Sequence, residues 1–177
     1  MAESTKPTNP FAPLAGIAGA AGGWAFSHYV GPSLWVPLGA TLVLLLLFTK
    51  TPLRPKYFGG AIATTGGHVA WFVVASLMMH NWIATGLDIV ILTAGIIWLW
   101  AGPGLAAALF LGFVQLASLV FNVYQLSQQP IGSGEHKGLT VHCVWRTIAL
   151  LCLFIGYRKL RRDRIAATTP PPLPEPL

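Results

Sequence analysis

Apolar runs of membrane-crossing character dominate the chain, broken by short clusters of glycine, proline and polar residues. The first run covers 14–30 and ends at the Gly31-Pro32-Ser33 turn signal. A second, 34–49, holds the run Leu44 to Leu47. A third covers 58–79, and His80-Asn81 separates it from a fourth at 82–100. Ala101-Gly102-Pro103-Gly104 precedes a fifth at 105–126, and a polar loop at 127–137 precedes the sixth at 138–157. A typical span needs ~20 apolar residues, so the first two runs are short, and a re-entrant pair is the alternative reading for them. The first run makes a poor signal peptide, because Lys6 is its only upstream cation and Trp24, Phe26, His28 and Tyr29 stand where a small-residue cleavage site is needed. The pattern therefore predicts an all-α polytopic membrane bundle of about six helices. Residues 1–13 are a polar tail, 14–157 the transmembrane domain, and 158–177 a basic and then proline-rich tail.

Composition agrees with lipid as the solvent. The chain is 54% hydrophobic and 9% charged, where soluble domains carry about 25% charged residues. A net charge of +6 is of the sign that nucleic acid attracts, but the cations sit beside the apolar runs. Lys50, Arg54 and Lys56 follow the second run, and Arg158, Lys159, Arg161, Arg162 and Arg164 follow the sixth. With the N-terminus inside, nine Lys and Arg lie on the inner side and one, Lys137, on the outer. That asymmetry predicts both termini in the cytoplasm. Short loops point to a bacterial inner membrane. Trp35, Trp82, Trp98 and Trp100 stand near expected span ends, where the headgroup level favours aromatics, whereas Trp24, Trp71 and Trp145 lie deeper, as packing or pocket residues.

The runs differ in what they hide. In the first, Gly19, Gly23 and Ser27 share one face, with Gly16 nearby, suiting close helix packing within the chain or in a larger complex. The second run reads as lipid-facing below Pro37. The last four each carry a polar stripe: Thr64, His68 and Trp71; Thr85 and Asp88; Gln115, Ser118, Asn122 and Gln125; and His142 and Arg146, with Leu139 on the same face. Asp88 and Arg146 are the only Asp, Glu, Lys or Arg inside the six runs. Counted from the outer ends at ~1.5 Å per residue they lie ~9 and ~12 Å deep. A lone charge at the bilayer centre costs roughly 2.5–3.5 kcal/mol on insertion scales, so the two are expected to face each other. Asn122 and His142 then share the outer half, and Gln115 and His68 form a floor near the midplane.

The function this implies is binding or transport of a small polar or zwitterionic solute, at Asp88, Arg146, His142, Asn122, Gln115, His68 and Trp71, open to the non-cytoplasmic side. A structural ion pair that fixes helix register is the competing reading of the same residues. In helix count, size and orientation the chain resembles the six-helix substrate-capture subunits of vitamin importers, a likeness that no motif carries. A six-helix chain of this size is small for a transporter working alone and has no convincing inverted repeat, so it is expected to act as an oligomer or as a binding subunit of a larger transporter. A non-catalytic membrane subunit is the alternative function. A haem- or quinone-binding redox subunit is a further one, since His68 and His142 lie on separate spans, but their expected depths differ by roughly 10 Å. An intramembrane hydrolase or transferase has only Asp88 and His142 as acid–base groups, without H-E-x-x-H, G-x-S-x-G or paired aspartates. Cys143 and Cys152 are nine apart, neither a redox pair nor a metal spacing.

The orientation is testable. With Cys143 and Cys152 replaced by serine, a Ser133→Cys variant should react with a membrane-impermeant maleimide added outside the cell. Thr5→Cys and Arg54→Cys should react only after permeabilisation; labelling of either in intact cells contradicts the predicted topology.

Overall fold

The computed structural model describes Gly23, residues 32–80 and residues 82–168. The first apolar run, apart from Gly23, the N-terminal tail, Trp24 and the proline-rich end lie outside the described residues. Five α-helices account for nearly all of the rest: α1 (Pro32–Lys50), α2 (Gly59–Met79), α3 (Trp82–Ala101), α4 (Leu105–Gln128) and α5 (Gly134–Thr168). Three are long and apolar enough to cross a membrane, over Gly59–Met78, Leu105–Gln128 and Gly134–Thr168. Shorter apolar segments cover Leu34–Lys50 and Thr85–Ala101. The chain is thus all-helical among the described residues, with the character of a membrane protein.

Helices α2 to α5 pack in sequential order, and α5 closes back on α2. The result is an up-down-up-down four-helix arrangement with antiparallel neighbours. Helix α1 lies outside it against α2, touching α5 near one end. Helix α2, the neighbour of α1, α3 and α5, is the central element. Just over half of its spanning stretch is buried, against about a fifth of that of α4. Outward-facing side chains are large and apolar, among them Ile83, Leu87, Phe113 and Ile155. Water would not tolerate so continuous an apolar surface on a monomer, and acyl chains would.

Helix ends differ from the sequence expectation for identifiable reasons. Helix α1 begins at Pro32, inside the expected 31–33 turn. Proline suits the first helical turn, where its missing N–H would have no partner anyway. Helix α2 stops where His80 adopts a left-handed conformation (φ 51°) and its N–H bonds Ser76 O. Helix α5 starts four residues before the expected 138, because the Ser133 hydroxyl caps it by accepting the His136 N–H at 3.1 Å. Glu135 in its first turn complements the helix dipole. At the other end α5 continues through the basic stretch to Thr168. Arg, Lys, Leu and Ala there are good helix formers, no proline intervenes before Pro170, and Leu160 is buried. At ~1.5 Å per residue α5 is ~52 Å long, well beyond a ~30 Å hydrocarbon core.

Apolar and polar interior are segregated along the bundle. Toward the end carrying Lys50, Lys56 and the arginines of α5, the core is apolar, with Phe48, Phe58, Leu92, Leu99, Leu111, Leu153 and Leu160. Toward the other end it becomes polar. The expectation that the second apolar run faces lipid holds for one face only. Leu34, Pro37, Thr41 and Phe48 are buried while Leu42, Val43, Leu46 and Leu47 are exposed. The close approach comes from Gly67, where an added Cβ would collide with the Thr41 hydroxyl and stand 2.5 Å from the Pro37 carbonyl oxygen. Backbone cannot yield as a side-chain tip can, and overpacking of this kind costs about 1–3 kcal/mol. Gly67→Ala should therefore lower the thermal midpoint in detergent by several degrees, while Gly39→Ala, with nothing within 4 Å of the new Cβ, should leave it unchanged or raised. Equal midpoints for the two variants would contradict the α1–α2 packing.

Candidate functional site

The site is built around Arg146, a buried cation with 1% side-chain exposure. Its Nη1 donates to Gln115 Oε1 at 3.0 Å, and its Nη2 stands 3.6 Å from Asp88 Oδ2. Gln115, also fully buried, donates from Nε2 to Thr65 Oγ1 at 3.3 Å. A line of polar groups thus runs from Asp88 on α3 through Arg146 on α5 and Gln115 on α4 to Thr65 on α2. Four helices contribute one member each. Charge-assisted N–H···O bonds are usually ~2.7–2.9 Å, so the Arg146–Asp88 contact is a loose ion pair, and Arg146 Nε has no hydrogen-bond partner. The Phe72 ring lies 5.9 Å from the guanidinium carbon, within cation–π range.

Beside this line is an aromatic group. His68 Nε2 and His142 Nδ1 are 2.6 Å apart, so one ring donates to the other. Both rings stack on Phe72, at centroid distances of 4.6 and 5.1 Å. The His68–His142 contact corrects the ~10 Å depth difference expected from sequence. That reckoning took every span to end in one plane and started α5 at residue 138. Starting it at Gly134 alone carries His142 ~6 Å deeper. The contact also removes the geometric basis for axial haem ligation by this pair, because a porphyrin has to stand between the two nitrogens. Among the described residues no group of three or more His, Cys, Asp or Glu is placed to hold a metal ion.

Two adjoining cavities open next to these groups. One, of about 620 Å³, is lined by Asp88, Arg146, His142, Ser118, Asn122 and Gln125, with Leu87 and Phe121 at its edge. The second, of about 640 Å³, is lined by Trp71, Phe72, Ala75, Thr85, Gln125, Leu139 and His142, with Glu135 and Lys137 toward the end of the bundle. Phe72, Gln125, Leu139 and His142 line both. The first lies between Leu87 and Asp88 of α3 and Ser118, Phe121 and Asn122 of α4. Near the 101–104 turn the two helices touch, with Gly95 against Leu111 and Phe110 and Trp98 against Phe110. At the level of Asp88 and Asn122 the gap is open.

All seven residues singled out from sequence lie in this region: Arg146, Asp88, His142 and Asn122 on the first cavity, Trp71 and His142 on the second, and Gln115 and His68 buried behind them. The α2 stripe differs in detail. Thr64 turns its hydroxyl back to Gly60 O of its own helix, and the residues that point inward are Thr65, His68, Phe72 and Ser76. Ser76 meets the Thr85 hydroxyl of α3, which ties the tight His80 turn across the bundle. Phe72 carries no sequence signal, being one apolar residue on an apolar helix. Its position four after His68 becomes informative only once the facing helix is known. Trp145 is buried beside Leu34 and Val141, away from both cavities. No known protein family, curated protein or solved structure matches this chain.

Removing one partner of a buried charge leaves the other uncompensated, while replacing both by apolar groups is close to neutral. Gln115→Leu should therefore destabilise the protein in a detergent melt by about 1–3 kcal/mol. The double variant Gln115→Leu with Arg146→Leu should be less destabilised than the sum of the two single variants. Additive losses would mean that the Arg146–Gln115 bond contributes nothing.

Proposed function

We propose that this chain is a six-span membrane protein with both ends in the cytoplasm, residing in a bacterial inner membrane. In it, the paired cavities between α2, α3, α4 and α5 bind a small polar or zwitterionic solute from the non-cytoplasmic side, for capture or transport. The observation that carries the reading is a fully buried arginine at a cavity wall with Nε unpartnered and only a loose ion pair to Asp88. A purely structural pair inside a membrane gains most by closing to hydrogen-bond distance and filling its remaining donors. Here Arg146 and Asp88 both line a cavity of about 620 Å³, within the ~300–1,000 Å³ typical of small-molecule sites.

The charge arrangement supports the orientation. Lys50, Arg54, Lys56 and the cations of α5 from Arg158 to Arg164 gather at one end, where Lys159 Nζ reaches the Lys56 carbonyl at 3.4 Å. The cavities lie toward the opposite end, whose only Lys or Arg among the described residues is Lys137. With the cationic end inside, the solute site faces out. The six-span count includes the first apolar run as the span that precedes α1.

The test uses Asp88, which is 37% exposed at the cavity and so tolerates change better than Arg146. Asp88→Asn should still insert, with a lowered melting temperature from the lost countercharge, and should also lose solute, measured by mass spectrometry of small molecules that co-purify with the protein in nanodiscs. Loss of thermal stability with no solute present in either protein would mean that the ion pair serves the fold alone.

A further inference from the structure

Charge bookkeeping inside the membrane narrows the kind of solute. The chamber is neutral as it stands, with one carboxylate (Asp88) and one guanidinium (Arg146) among its membrane-depth residues, and its two imidazoles bonded to each other. An ion entering so poorly polarisable a space brings an uncompensated charge, which is costly to desolvate. A zwitterion adds no net charge, and each of its ends meets an opposite charge already in place.

The hydrogen-bonding capacity is distributed in the same way. Arg146 commits Nη1 to Gln115 and leaves Nε without a partner. Arginine is the side chain best suited to hold a carboxylate through two parallel N–H groups. Asp88, acceptor-only when ionised, has its loose contact to Nη2 and is the cavity's carboxylate for an ammonium. The two charged groups are 3.6 Å apart, so they match a ligand whose ammonium and carboxylate are carried on one carbon better than one with widely separated charges. Adjoining the first cavity along Phe72, Gln125, Leu139 and His142, which line both, the second cavity offers Trp71, Phe72, Ala75 and Leu139. It suits an apolar or aromatic group extending from that carbon.

We propose that the chamber is a receptor for α-amino acids with a large apolar or aromatic side chain. The carboxylate is held by Arg146, the ammonium by Asp88, and the side chain lies between Trp71 and Phe72. This rests on the small-solute reading above and adds the ligand class to it. Asn122 and Ser118 complete the polar rim.

The experiment is equilibrium binding to the full chain in lipid nanodiscs, with L-phenylalanine, L-alanine, N-acetyl-L-phenylalanine and phenethylamine as probes. Phenylalanine should bind, and the acetylated and decarboxylated analogues, which each lack one charge, should bind at least tenfold more weakly. Alanine should also be at least tenfold weaker. Asp88→Asn should erase the preference for phenylalanine over its N-acetyl derivative. Trp71→Ala should shrink the gap between phenylalanine and alanine. Equal affinity for phenylalanine and its N-acetyl form, or for phenylalanine and alanine, overturns the proposal. Binding of a different co-purified solute, with no amino acid bound, overturns the ligand class but leaves the solute site standing. No bound molecule of any kind, with Asp88→Asn altering only the melting temperature, overturns both.

Discussion

Arg146 is the constraint around which the bundle is arranged. A guanidinium cannot shed its proton in a protein, so it stays charged wherever the fold puts it. Placed at mid-helix in an apolar segment, it has to be compensated from neighbouring helices. The compensation comes from two directions: Gln115 of α4 accepts one N–H, and Asp88 of α3 supplies the countercharge. Gln115 in turn holds Thr65 of α2. One buried cation therefore specifies the mutual height of four helices, in an environment where apolar side chains slide past one another with little preference. Polar groups that fix register in this way are among the better-attested uses of buried polarity.

Close packing works with that constraint, beside His68 on α2 and toward the cationic end of α5. Gly67 lets α1 approach α2 until Thr41 and the Pro37 carbonyl fill the place of a side chain, and Gly156 does the same for α5 against Tyr57 and Phe58. Lipid chains are as apolar as leucine, so these close contacts, rather than hydrophobic burial, hold the helices together. The tight apolar half and the open polar half are consequences of one geometry. Helices α3 and α4 meet beside the 101–104 turn, and a cavity lies between them at Asp88 and Asn122. Phe72 and His142 line the chamber between them, with the His68 ring stacked on Phe72 behind. The chamber is lined by charges at one side and aromatic surface at the other, which is the basis for reading it as a site for a zwitterion with an apolar body.

The hydrophobic runs by themselves set the helical, lipid-compatible character, and did so with good accuracy for α2, α3 and α4, where glycine, proline and His80 punctuate the sequence. Boundaries slipped at α5. The Ser133 cap is one hydroxyl among several polar residues, and the end of the helix is defined by nothing that breaks it. The opposite charges of Asp88 and Arg146 were legible as partners because the membrane makes any lone charge improbable. Depth along parallel spans was a poor guide to His68 and His142, whose contact depends on where each helix begins.

What the sequence by itself determined, then, is the lipid-compatible character, the helical class and the pairing of the two membrane-depth charges, since all three follow from local composition and the cost of placing charge in hydrocarbon. Only the tertiary structure decided which residues of a stripe face inward, that Thr65 rather than Thr64 reaches Gln115, that Phe72 joins the histidines, and that a pair of cavities adjoins the ion pair. Those outcomes depend on the rotation, height and splay of one helix against another. Such rigid-body variables are set by contacts between residues dozens of positions apart, and no local pattern encodes them.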